Sequence, residues 1–322
     1  MPYNSVITSS NMAGLIPPEY TDEILSKTVE QSAVMRLARR LRNMPTSTRT
    51  MPVVSALPTA YFVDGETGLK QTTKVEWANV MLSAEELAVI VPVPQSAFDD
   101  SAYPIWDQIK PLLEEAAGLA IDQAVLYGVN IPLTWAAAFG SHAGIVSLAT
   151  AHGSTVSLAS RDDLYDALMA NGGLLSLIEQ DGFIVTGHIA HTSMRGLLRG
   201  CRTTTGDPIF VAGENFGSTF ATGALDGAPV LYPLNGSVDS SKSLDIAGQW
   251  SELVYAFRQD ISWNVANQAV IQDGSGQIVY NLFQRDMIAL RMVFRLGFAL
   301  PNPINRVQPT EDSRSPFAVL TA

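Results

Sequence analysis

The stretch that most constrains this chain runs from Pro104 to Gly128, PIWDQIKPLLEEAAGLAIDQAVLYG. Ile105, Ile109, Leu112, Ala116, Leu119, Ala120, Val125 and Tyr127 recur every three or four residues, the spacing of one apolar stripe along a helix. Asp107, Lys110, Glu114, Glu115 and Asp122 fall mostly on the other side. At 1.5 Å per residue such a helix is roughly 35 Å long, a spine against which sheets can pack. Pro111 lacks an amide donor and crowds the turn before it. The regular helix is therefore expected to start there, with 101–110 as a kinked lead-in. Gly128 is the expected stop. An ordinary core helix with no special role fits the same pattern.

The second strong pattern lies near the C-terminus. Ile288, Leu290, Met292, Phe294, Leu296 and Phe298 alternate with Ala289, Arg291, Val293, Arg295 and Gly297. Strict period two of this length predicts a long strand with one buried face. Pro301 and Pro303 stop it, and 306–322 reads as a surface tail. Before the spine, 1–16 reads as an extended arm. Tyr20, Ile24, Val29, Val34 and Leu37 or Leu41 then give a moderate helical stripe. Pro45, Pro52 and Pro58 make 44–58 an extended connection. A hairpin is expected next, from Ala60–Val63 through the turn chemistry of Asp64-Gly65-Glu66-Thr67-Gly68 into 74–82, with 86–93 as a further β run. Such a hairpin buries little against its own domain, and its edges call for a partner.

After the spine, 129–157 reads as loop. A helix capped at Ser160 is expected to run to Ile178, followed by a strand at 183–186 and a helix at 189–199, a mixed α/β alternation. Beyond Gly206, short β runs are expected at 229–233, 253–257 and 261–265.

Charge narrows the classes of partner. The 322 residues carry a net charge of −11, and only 16% are charged against 47% hydrophobic. That excludes a disordered chain and argues against nucleic-acid binding by the body of the protein. It also leaves little charge to cover a lone monomer, which points to surface buried between copies. Within 31–50 lie Arg36, Arg39, Arg40, Arg42 and Arg49 and no acid, while 51–130 holds three basic and eleven acidic residues. Arg36 to Arg42 have helical spacing. A solvated face, contact with an acidic neighbour, and DNA or membrane contact all remain open for them. The single cysteine, Cys201, permits no internal disulfide and fits a reducing compartment. MPYNSVITSS is not a signal peptide, and no apolar run approaches membrane-spanning length, so no membrane partner is expected.

Chemistry-bearing motifs are sparse. His188 and His191, at i,i+3, could share a helix face and bind metal, but no carboxylate or cysteine sits at ligand spacing. Cys201 beside Arg202 could have a lowered thiol pKa, but lacks a histidine partner in a motif. Gly172-Gly173 sits near a helix end and does not cradle a phosphate. Asp99-Asp100 and Glu114-Glu115 read as a cap and a solvated face. No catalytic residue, cofactor site or metal site is assigned, and an enzyme is not expected.

Several stretches, in this order, resemble the Hong Kong 97-type major capsid proteins of tailed bacteriophages. FVDGETGLKQTTKVEWANVMLSAEELAVIVPVPQSAFDDS is similar to that family's E-loop, and YPIWDQIKPLLEEAAGLAIDQAVLYG to its long P-domain helix. GDPIF followed by GAPV resembles the A domain, and QRDMIALRMVFRLGFALPNP the closing strand. The resemblance covers about Ile16 to Asn305.

It implies an α+β fold with five parts. These are an N-terminal arm and first helix at 1–33, an extended connection at 34–56, the E-loop hairpin at 57–83, a P domain at 84–139 and 251–322, and an A domain at 140–250. It implies a non-enzymatic subunit of the virion, assembled in the host cytoplasm into pentamers and hexamers of an icosahedral head around double-stranded DNA. The DNA would be contacted only non-specifically. Further partners implied are a portal protein, a separate scaffolding protein and decoration proteins. The chain departs from members that begin with a long charged scaffolding segment, because its first family-like helix comes soon after Met1, so scaffolding is expected to be a separate protein or absent. Candidate intersubunit contacts are Arg36, Arg39, Arg40, Asp64, Glu66, Lys70 and Trp77. Lys70 fits a crosslinking lysine only loosely, and no partner Asn aligns. An encapsulin-like compartment shell shares the fold, and a cytosolic α/β enzyme with an unrecognised site is the reading from a different class.

Overall fold

A computed structural model describes residues 32–63, 68–100, 105–161, 163–202, 205–207, 209–210 and 221–322. The chain runs through α1 (Ala33–Leu37), β1 (Arg39–Arg40), β2 (Thr48–Ala56), β3 (Glu76–Ser83), β4 (Glu85–Pro94), α2 (Gln95–Asp99) and α3 (Ile105–Tyr127). Then follow α4 (Leu133–Ala138), α5 (Ile145–Ala151), β5 (Thr155–Ser157), α6 (Leu164–Met169), α7 (Leu174–Gln180), β6 (Gly187–Ala190) and α8 (Ser193–Gly200). The remaining strands are β7 (Ala221–Leu225), β8 (Ala228–Tyr232), β9 (Asp245–Gly248), β10 (Val254–Ala266), β11 (Val270–Gln272), β12 (Ile278–Asn281), β13 (Met287–Ala299) and β14 (Phe317–Thr321).

Two sheets dominate. One is four-stranded, in the order β1-β10-β13-β4, and the other six-stranded, β5-β14-β9-β6-β8-β7. The alternation at 288–298 becomes β13, the centre of the first sheet, antiparallel to both β10 and β4. Its Leu290, Met292, Phe294, Leu296 and Phe298 are buried, as period two requires. Pro92 and Pro94 lie within β4, an edge strand, where a missing donor is tolerated. The short β10 runs expected at 253–257 and 261–265 are one strand of 13 residues, bent by register shifts between Phe257 and Ser262.

α3 joins the sheets. Its Leu113, Ala117, Ile121 and Val125 share one core with Met292 and Phe294 of the first sheet and Ile189, Ile246, Phe317 and Val319 of the second. The buried stripe sits one residue away from the expected one, because Leu112, Ala116 and Ala120 are exposed. The helix also passes through Pro111 and starts at Ile105. The single bond lost near its first turns is offset by the packing that begins at Leu113. The stop falls where expected. Gly128 has φ +70°, its N–H bonds to the Ala124 carbonyl (3.0 Å), and a Cβ there would overlap the Ala143 carbonyl.

Four other expectations fail. The 306–322 tail ends in β14, a buried strand between β5 and β9. Phe317 and Val319 face the α3 core while Ala318 and Leu320 face a second core under α6, α7 and α8, so both faces are apolar and no alternation marks the strand. The 129–157 loop contains α4 and α5, each too short to show a helical period. The helix from Ser160 to Ile178 is two helices broken at Gly172, whose φ is +72°, and the cap is Asp163, which accepts from the Asp166 N–H (2.9 Å). The strand foreseen at 183–186 lies at Gly187–Ala190, and α8 begins only at Ser193.

Candidate assembly surface

A two-stranded ribbon of β2 and β3 leaves the body of the subunit. Its outgoing arm is Thr48–Ala56, within the stretch expected as connection, and 60–63 is not a strand. Pro52 is accommodated because β2 pairs on one side only. The run 85–94 belongs to the body as β4. At the root, Leu82 and Ala84 pack with Met44, Ala138, Val254, Ala256 and Ala299. The Trp135 indole donates to the Ser83 carbonyl (3.1 Å) and meets Phe298 edge-on (5.2 Å). Arg306 donates to the Pro58 carbonyl (2.8 Å) and braces the base. Farther out, the Tyr61 hydroxyl donates to the Gln71 carbonyl (2.6 Å) and Thr59 N–H to the Thr73 hydroxyl (3.1 Å).

Apolar side chains stand open along the ribbon and the segments that continue it. Trp77 is 67% exposed, Met81 54% and Leu69 90%, and Phe62 is fully exposed. Such a patch is apolar surface that the subunit itself does not cover. Lys70 is exposed on the same projection, and Lys74 pairs with Glu76 at 2.5 Å in full solvent, a contact of little energetic weight. Asp64 and Glu66 lie outside the described residues.

The arginines do not share a helix. Arg36 is on α1, while Arg39 and Arg40 form β1, parallel to β10 at Val254 and Tyr255. The backbone of 39–44 follows β10, with Arg39 N–H to Leu253 O, Leu41 N–H to Tyr255 O and Met44 N–H to Phe257 O, and this sheet pairing overrides helical spacing. The Arg40 guanidinium lies over the Phe257 ring (5.2 Å). Burial pushes the Glu252 carboxyl up, with the Arg39 charge pulling the other way. Arg49 is spent inside the subunit, donating to the Arg42 and Asn43 carbonyls.

One structural anchor was hidden in the sequence. Asp122, assigned to the polar side of the spine, is completely buried. It accepts from the Ser32 hydroxyl (2.5 Å) and from the N–H groups of Ala33 (3.0 Å) and Val34 (3.1 Å). Ser32 in turn caps α1 by accepting from the Met35 N–H (3.1 Å). The carboxylate therefore pins the start of α1 to the middle of the spine. Burial raises its pKa from 3.8 to about 6 against these hydrogen bonds. The Ser237 hydroxyl faces the same carboxyl without completing a bond in this geometry. No i,i+3 or i,i+4 partner announces such a group.

The motifs with chemical promise do not assemble a reactive centre. His188 is in β6, not on a helix, and its Nδ1 lies 2.9 Å from Asp245 Oδ2, both residues fully buried. His191 contacts the Ser193 hydroxyl instead (2.8 Å). No cluster of three potential metal ligands occurs among the described residues. Burial and the Asp163 charge push the Cys201 thiol up despite Arg202, the opposite of activation. No helix among the described residues is long and apolar enough to cross a membrane.

A projecting ribbon, a spine joining two sheets and an apolar surface left open describe a shell-forming subunit of the Hong Kong 97 type. Residues 13–308 match the phage capsid family, and the chain belongs to it. It is 26% identical over 299 residues to the major capsid protein of Staphylococcus phage 80alpha, covering 91% of this chain and 84% of that protein. A solved structure from Microbacterium phage Oxtober96 superposes with a TM-score of 0.81 at 31% identity, over 98% of this chain and 99% of that one. One from Mycobacterium phage Adephagia gives 0.80 at 25% identity, over 98% of each. The α+β capsid fold is thus established, and the chain is a structural major capsid subunit of a phage, a reading favoured over the compartment shell and the enzyme.

Proposed function

We propose that copies of this chain form hexamers and pentamers of an icosahedral phage head around double-stranded DNA, each clasping a neighbour with the β2–β3 ribbon. The carrying observation is the exposure of Phe62, Leu69, Trp77 and Met81 on an element that buries only its root within the subunit. Trp77 and Lys70 lie on the clasp, while Arg36, Arg39 and Arg40 form a basic edge at α1 and β1 suited to an acidic neighbour. On this reading the head is assembled in a host cell, with a portal protein, a separate scaffolding protein and decoration proteins as further partners. The net charge of −11 suits DNA packaged without specific contacts.

The test is expression of the chain, alone and with its phage's scaffolding protein, followed by electron microscopy and sedimentation. Megadalton shells are expected. Phe62→Ser with Trp77→Ser is expected to leave the urea midpoint of the subunit unchanged and to cut particle yield at least tenfold. Small oligomers alone under every condition, or undiminished particles from the double variant, would refute the proposal.

A further inference from the structure

Asparagine stands before glycine at two places in the chain, Asn171-Gly172 and Asn235-Gly236. At such a pair the glycine nitrogen can attack the asparagine side chain, because no Cβ obstructs its approach. A bond forms between the glycine N and the asparagine Cγ, and the bond from Cγ to Nδ2 breaks. Ammonia leaves with the proton of the peptide N–H. Water then opens the succinimide on one side or the other, giving aspartate or isoaspartate. The fold treats the two pairs differently.

At 171 the nucleophile is held. The Gly172 N–H donates to the Ser176 hydroxyl (3.2 Å), and the Arg161 guanidinium donates to the Gly172 carbonyl. At 235 it is open. Gly236 is exposed, has φ +77°, and donates its N–H to no group among the described residues. Beyond its chain neighbours, no atom lies within 4 Å of where a Cβ would stand. The Ser237 N–H donates to Asn235 Oδ1 (3.0 Å), which turns the side chain over the following peptide. That donor sits on the oxygen that gathers negative charge as the Gly236 nitrogen adds. The leaving Nδ2 is buried without a partner, so loss of ammonia removes an unsatisfied donor.

We propose that Asn235 is a site of spontaneous deamidation in the folded chain, while Asn171 is protected. The modified turn belongs to the loop that holds the end of α3. The Asp239 N–H donates to the Tyr127 hydroxyl (3.0 Å), which lies 2.6 Å from the Ser243 hydroxyl. Isoaspartate lengthens the backbone ahead of these contacts, so conversion loosens the loop's hold on the spine.

The test incubates the unassembled full-length chain in warm, mildly alkaline buffer, folded and in urea, and follows both positions by peptide mass spectrometry. The rates in urea correct for the residue after each pair. Relative to them, 235 should convert at least fivefold faster than 171 in the folded chain, and no slower than it does in urea. Ser176→Ala, which removes the acceptor of the Gly172 N–H, should raise conversion at 171 several-fold with 235 and the circular dichroism unchanged. Equal corrected rates in the folded chain, protection of 235 by folding, or an unchanged rate at 171 in folded Ser176→Ala would each overturn the proposal.

Discussion

Replacing Asp122 tests how the start of α1 is held. In Asp122→Ala the Ser32 hydroxyl and the Ala33 and Val34 amides lose their acceptor in a site closed to water. Stranded donors cost about 1–3 kcal/mol each, and some relaxation of the short helix reduces the sum, so about 3 kcal/mol is expected at pH 7. The pH dependence is a sharper test. The folded carboxyl keeps its proton up to about 6, whereas the unfolded one releases it near 3.8. Between those values the folded state binds more protons, so this group's contribution is fully present below 3.8 and is lost as pH rises through 6. Linkage over that window makes the native chain about 1 kcal/mol more stable at pH 5 than at pH 7 from this group alone. Asp181 and Glu252 are also raised by burial and contribute in the same direction, and His142, lowered by burial, opposes them. The difference between native and Asp122→Asn chains isolates Asp122. Urea titrations of unassembled subunit at both pH values, followed by fluorescence of the buried Trp135 and Trp250, measure it. An identical pH gain in Asp122→Asn would refute the raised carboxyl, and an unchanged midpoint in Asp122→Ala would refute the anchor.

Gly128→Ala must hold φ +70° and overlaps the Ala143 backbone, so a loss of about 2–4 kcal/mol is expected by calorimetry. Deleting 317–322 removes a strand buried between β5 and β9. The truncated chain should be digested by protease under conditions where the full chain survives. Arg314 is buried and donates to Asn302 Oδ1 (3.1 Å), the Asn302 carbonyl (2.8 Å) and the Gln308 carbonyl (3.0 Å). Arg314→Met leaves these acceptors without their donor and should lower stability by about 2–4 kcal/mol in urea titration.

What the sequence revealed follows from which physical signals are local. β13 was legible because one buried face writes itself as alternation. The spine was legible in length and stop, since a 23-residue helix repeats its stripe many times and Gly128 supplies the left-handed residue. Its buried face was misread by one position because alanines tolerate either side, and Leu112 is exposed while Asp122 is not. β14 was illegible because both its faces are apolar and its partners, β5 and β9, are distant in sequence. The outgoing arm of the ribbon was missed for a related reason. Thr48–Ala56 has Pro52 in its middle, and only its pairing with Glu76–Ser83 makes it a strand.

The candidate surface divides in the same way. Exposed apolar residues on a hairpin, such as Trp77, can be suspected from turn chemistry and alternation, since a two-stranded ribbon cannot bury both faces of itself. Charges are harder to place. Arg36, Arg39, Arg40 and Arg49 look equivalent in sequence, yet Arg49 is consumed by the carbonyls of Arg42 and Asn43 and Arg40 lies on Phe257. Asp122 is the extreme case, a carboxylate that reads as surface and is fully buried. A buried charge survives only with bonded partners, and here all of them lie at Ser32–Val34. The spine of this capsid subunit therefore has two jobs that composition cannot separate. Its apolar face unites two sheets, and its buried Asp122 ties the start of α1 at Ser32–Val34 to the middle of the helix.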